Sequence, residues 1–116
     1  LGLSRDAPYA CRDLQRIGYA CITLETVMDR KYARNTLAGA AGGEANMSSV
    51  QGNFDPKRLV DGSFEEIERE AKRMLQDFGP QKYIANLGAG LGGKEDCAKV
   101  DYFVNAIHRL SEEMIN

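Results

Sequence analysis

The spacing of apolar positions predicts short strands alternating with helices along the whole chain. From about Pro8 to Ile17, Leu14 and Ile17 share one face, Pro8 is tolerated in a first helical turn, and Gly18 stops the pattern. YACITLE follows, and its run from Tyr19 to Leu24 reads as a buried strand. Asp29 can cap a second helix, in which Ala33 and Leu37 lie at helical spacing and Gly39 ends the run. The small residues of AGAAGGEAN, Ala38 to Asn46, predict a surface loop. MSSVQ, Met47 to Gln51, predicts a second strand that stops at GNFDP, whose residue types favour a turn.

The best-marked helix comes next. Ser63 with Glu66 three residues later forms a capping box, and Ile67, Ala71, Met74, Leu75 and Phe78 then make one apolar stripe. It ends at Gly79-Pro80, because proline disfavours helical dihedrals in the residue before it. YIANL, Tyr83 to Leu87, predicts a third strand. From about Asp96, Val100, Phe103, Val104, Ile107 and Met114 mark a final helix.

This alternation, with helices of crossover length between strands, predicts an α/β fold of about three parallel strands covered by helices. Three strands leave edges that invite further pairing. Residues 1–116 therefore read as part of one domain, completed either as an open doubly wound sheet or as an eight-stranded α/β barrel of which these are the last strands. The opening LGLSRDAP, without an initiator methionine, also reads like the middle of a longer protein.

Composition narrows the partners. The 15 basic and 17 acidic residues give a net charge of −2 and are interspersed, which predicts neither nucleic acid nor anionic membrane as a partner. No apolar run approaches the ~20 residues of a membrane span. Cys11, Cys21 and Cys97 form no C-x-x-C pair, so they are expected to be small buried residues in a reducing compartment such as the cytoplasm or a plastid. The strand ends carry Leu24-Glu25, Gly52-Asn53 and Gly88-Ala89, which offer no cysteine or histidine to a metal.

Gly88, Gly90 and Gly93 spell G-x-G-x-x-G after the third strand, as a dinucleotide-binding turn would. Such a turn needs a second strand carrying an acidic residue about 20 positions on. Here the final helix fills that distance, so the glycines are expected to serve a sharp turn, or to make room for a ligand at a barrel rim. Asn53 and Asp55 either line a pocket or bond the backbone of their turn. Glu25 and Asp29 either face a cleft or cap a helix. His108, on the last helix, is expected to be a packing or surface residue.

Three segments carry a resemblance: VQGNFDP (Val50 to Pro56), MLQDFGPQKYIANLGAGL (Met74 to Leu91) and VDYFVNAIHRLS (Val100 to Ser111). In order and spacing they resemble the C-terminal third of the uroporphyrinogen decarboxylases, particularly the eukaryotic ones. LQRIGYACITLETVMDRKYAR resembles the family's preceding helix, strand and helix more loosely, with LET in place of a leucine-aspartate-tryptophan-like run. The resemblance implies a distorted (β/α)8 barrel acting as a homodimer. It also implies removal of carbon dioxide from the acetate side chains of the tetrapyrrole uroporphyrinogen, giving coproporphyrinogen in haem synthesis, with no cofactor.

In that family the acid, the carboxylate and the arginines come from the N-terminal part of the barrel, so a C-terminal segment alone is implied to be inactive. The family's NLGHG motif places a histidine at the barrel mouth; here the motif reads NLGAG, with Ala89 at that position. No residue of this chain is therefore expected to be catalytic. Asn53, Asn86, Gly88, Ala89 and Gly90 are expected to contact substrate. The family's tyrosine-proline-like turn is replaced by LGGKEDC. Two readings follow: a working decarboxylase that tolerates the loss, or a decarboxylase-derived structural or interaction module.

Overall fold

The computed structural model describes residues 2–4, 10–26, 28–79 and 81–115, so the expected helix start at Pro8 and the Pro80 of the Gly79-Pro80 stop lie outside the described residues. The elements run β1 (Gly2–Ser4), α1 (Ala10–Arg16), β2 (Cys21–Leu24), α2 (Arg30–Ala41), a 3-10 turn (Glu44–Asn46), β3 (Ser49–Phe54), α3 (Arg58–Asp61), α4 (Phe64–Phe78), β4 (Tyr83–Leu87) and α5 (Cys97–Ile115). All neighbouring strands pair in parallel, in the order β1-β2-β3-β4. A doubly wound sheet reverses its order at a switch point, whereas consecutive barrel strands lie side by side as these do.

Side chains alternate across a strand, so the register decides what each face carries. Ile22 pairs with Val50 and Val50 with Tyr83; two residues on, Leu24 pairs with Gly52 and Gly52 with Ala85. This face is the core side. Ile22, Leu24, Val50 and Phe54 are fully buried in one cluster with Leu37 of α2, with Ile67, Met74 and Phe78 of α4, and with Phe103 of α5. Phe54 and Phe103 meet at 4.3 Å between ring centroids, close enough for a favourable aromatic contact on top of area burial.

The opposite face carries Cys21, Thr23, Ser49 and Gln51, all half-buried, with Ile84 50% exposed. A parallel sheet normally has both faces covered; here helices cover one. The shortest extent of the molecule, 19 Å, fits one helix layer on one sheet.

Helix α4 forms as its pattern predicts. Ser63 Oγ accepts a hydrogen bond from the Glu66 amide at 3.2 Å, and the five residues of the predicted stripe are all buried. Helix α2 does not end at Gly39 but continues to Ala41. Gly42, at φ 80°, is the stop: its amide bonds Gly39 O, and the Gly43 amide bonds Ala38 O at 2.8 Å. That double closure satisfies orphan carbonyls, and outweighs the roughly 1 kcal/mol cost of an interior glycine.

Strand β3 runs through GNF to Phe54 instead of stopping at Gln51. Gly52 makes this possible. It lies at φ 99°, and a Cβ there would stand 2.8 Å from Leu24 O, so only glycine lets the backbone continue beside β2. The short strand β1 carried too little pattern to be predicted, whereas α3 follows Pro56, a residue suited to starting a helical segment. In α5 the buried stripe is Phe103, Ala106 and Leu110, while Val104 is exposed. The cysteines also differ from expectation: only Cys11 is buried, Cys21 lies on the open sheet face, and Cys97 is exposed at the start of α5.

Candidate substrate cleft

The C-terminal ends of β2 and β4 frame an open cleft of about 540 Å³. Four residues singled out in the sequence, Asn86, Gly88, Ala89 and Gly90, come together there. Across from them stand Thr23 and Glu25, with Leu91 at the far rim. Glu25 thus takes the cleft-facing role, whereas Asp29 caps α2 by accepting from the Tyr32 amide at 2.7 Å. Thr23 escaped prediction because its direction depends on register, which one strand's sequence does not reveal.

Gly88 joins the two sides. Its amide donates to Phe54 O at 2.7 Å, prolonging the ladder one residue beyond β4. A Cβ at this position would lie 2.3 Å from the Thr26 amide nitrogen, 2.5 Å from Thr26 Oγ1 and 2.8 Å from Thr26 Cα. Gly90, by contrast, faces open space. Ala89 is exposed.

Asn53 is placed elsewhere. It is 3% exposed and lies at φ 87°, a left-handed conformation that asparagine tolerates better than most residues. This turns its side chain toward the β2–α2 connection, where Nδ2 donates to Glu25 O at 2.7 Å and to Met28 O at 3.0 Å. Its Oδ1 accepts from Arg30 Nε at 2.6 Å, and Arg30 goes on to pair with Glu70 at 3.0 Å and Asp77 at 3.5 Å. Asn53 therefore lines a neighbouring cavity of about 410 Å³ with Arg30 and Asp77, and is absent from the lining of the cleft. Arg30 gave no sequence signal, since an arginine in a first helical turn usually reads as solvated. Asp55 bonds its own turn, accepting from the Lys57 amide at 3.0 Å.

On β4, Tyr83 stacks on Phe78 at 4.5 Å, and its hydroxyl donates to Gly52 O at 2.7 Å. Burial pushes its phenol above the ordinary tyrosine range, so it remains a donor throughout the physiological range.

The glycine loop does not open directly into a helix as a dinucleotide-binding turn does. Helix α5 begins four residues after Gly93, and the Gly92 and Gly93 amides donate to Glu95 Oε1 and Oε2 at 2.7 and 3.0 Å. These bonds, led by that from Gly92, hold the Glu95 carboxyl below its usual range. A depressed folded-state value means the loop's stabilisation is fully present above the unfolded value and is lost as pH falls through the folded one. A carboxyl-carbon NMR titration is expected to give Glu95 a midpoint below that of an unstructured glutamate; a midpoint at or above it would contradict the latched geometry.

Glu25 is the one charged side chain among the described lining residues. His108 is exposed on α5. Among the described residues no three His, Cys, Asp or Glu side chains converge as metal ligands, and no helix is long and apolar enough to cross a membrane.

The family profile described as Uroporphyrinogen decarboxylase (URO-D) matches residues 4–110. The uroporphyrinogen decarboxylase of Mus musculus is 40% identical over 108 residues and that of Homo sapiens 38%, each match covering 93% of this chain. The enzyme of that name from Salinibacter ruber is 34% identical over 111 residues, 96% of this chain. The chain spans 27% of the length of the two mammalian relatives and 29% of the bacterial one.

Proposed function

Because the chain belongs to the uroporphyrinogen decarboxylase family, we propose that it supplies the closing strands and helices of a (β/α)8 barrel and one wall of its substrate cleft. The reaction proposed for the whole protein is cofactor-free loss of carbon dioxide from the acetate side chains of uroporphyrinogen, yielding coproporphyrinogen in haem synthesis. The observation that carries this reading is the meeting of Asn86, Gly88, Ala89 and Gly90 with Glu25 at the C-terminal ends of parallel strands laid down in sequence order. Active sites of α/β barrels lie at that end. The bare sheet face fits the same picture, since a barrel covers it with side chains from its other strands.

Loss of carbon dioxide leaves an electron pair that needs a sink. Protonating a pyrrole carbon first makes the ring that sink, which calls for a positioned acid and a carboxylate to hold the pyrrole N–H groups. A substrate with many carboxylates also calls for arginines that grip them bidentately. The described lining carries neither lysine nor arginine, so the role proposed for this segment is to shape the cleft, while the remainder of the protein supplies the charge. We assign the whole protein to the cytoplasm and to a homodimer.

A second reading, a structural or interaction module derived from a decarboxylase, is favoured by Ala89. A methyl group neither hydrogen-bonds a carboxylate nor moves a proton. Histidine at this exposed rim position needs no repacking. In the full-length protein, Ala89→His is expected to raise uroporphyrinogen turnover about tenfold, the worth of one charge-assisted hydrogen bond. Turnover by the parent that stays level or drops in the variant refutes the handicap assigned to alanine. Absence of turnover from both proteins favours the module.

A further inference from the structure

Two adjacent peptide N–H groups, those of Gly92 and Gly93, each bind a different oxygen of one carboxylate. That carboxylate belongs to Glu95, two and three residues away. Leu91, the residue before the first donor, lines the cleft. The donors follow directly on that lining residue in the chain, and the lining itself includes no described cation. Consecutive backbone amides of this kind form an anion-binding concavity that needs no side-chain charge.

We propose that the Gly92 and Gly93 amides are a seat for an alkyl carboxylate of the substrate, and that Glu95 is its internal occupant until substrate displaces it. The identity of the ligand rests on the tetrapyrrole reading above; the seat itself does not. Glu95 is tethered close to the donors, so a free monocarboxylate competes against an effective concentration on the order of millimolar or more. A polycarboxylate already held in the cleft presents its own carboxylate under a similar tether. Exchange then swaps one carboxylate for another on the same two donors, with no net loss of hydrogen bonds, and the half-buried Glu95 side chain moves into water.

Acetate is the probe. In full-length protein labelled with 15N-glycine, Glu95→Ala is expected to give saturable shifts of the Gly92 and Gly93 amide resonances, while Gly90 stays still. The parent is expected to need at least about tenfold more acetate. Adding Gly92→Pro to Glu95→Ala removes one donor and is expected to weaken acetate binding about tenfold. With uroporphyrinogen, Glu95→Ala is expected to lower KM severalfold without lowering kcat. No acetate response in Glu95→Ala overturns the seat. A response accompanied by an unchanged or higher KM overturns its assignment to substrate. If neither protein turns over uroporphyrinogen, the decarboxylase reading falls and the acetate result alone decides the seat.

Discussion

Gly88→Ala is expected to destabilise the full-length protein by about 3 kcal/mol or more, the upper part of the range for overpacking a filled site. The reason is the identity of the atoms in the way. The added Cβ would meet the Thr26 amide nitrogen at 2.3 Å and Thr26 Cα at 2.8 Å, and backbone cannot rotate aside as a side-chain tip can. Relief requires β4 to retreat from the β2–α2 connection, and the Gly88 amide would then lose Phe54 O. Gly90→Ala is the matched control: nothing lies within 4 Å of its Cβ, so its effect should stay within about 0.5 kcal/mol. Urea denaturation of both variants decides the matter. Equal midpoints would mean that the close approach at Thr26 does not exist.

Asn53→Ala is expected to cost about 4 kcal/mol. Truncation strips donors from two carbonyls, Glu25 O and Met28 O, and an acceptor from Arg30 Nε, all in a site where Asn53 is 3% exposed. Each buried group left without its partner costs about 1–3 kcal/mol. Alanine at φ 87° adds about 1 kcal/mol of backbone strain. Asn53→Gly separates the two contributions, because it loses the same hydrogen bonds but accepts the dihedral. It should therefore unfold at higher urea than Asn53→Ala. If Asn53→Ala matches the parent, the cluster does not hold the β2–α2 connection. Glu25 is the first residue of that connection, so both variants should also disturb the cleft wall.

The same two residues show where sequence reading succeeds and where it stops. Helix α4 was legible because Ser63, Glu66 and five apolar residues say the same thing at three levels: cap, first turn and stripe. The meeting of Asn86, Gly88, Ala89 and Gly90 was legible from a strand followed by glycine. The end of β3 was not, because Gly-Asn is equally at home in a turn and in a strand residue with positive φ. Only the approach of Leu24 O to Gly52 distinguishes them. Asn53 reached the wrong cavity for the same reason: alternation along β3 points it with Asn86, and its dihedral turns it to Arg30. Gly42 replaced Gly39 as the stop of α2 because the choice depends on which glycine can bond back to Ala38 and Gly39. Cys97 was misplaced by composition, since cysteines are usually buried and this one opens an exposed helix end. The bonds from the Gly92 and Gly93 amides to the Glu95 carboxylate are a property of loop geometry, for which the letters LGGKEDC contain no periodic signal.

Adjacent rim positions are thus under unequal constraint. At 88 any side chain collides with main chain, so substitutions there are removed by misfolding before chemistry is tested. At 89 the side chain is exposed, and folding does not distinguish histidine from alanine. Under the proposed function, whatever residue stands at 89 is kept or lost by selection on activity alone. On that proposal, a lineage in which demand for the reaction relaxes can drift at 89 with an intact fold, and the side chain there can change back and forth without passing through a misfolded protein.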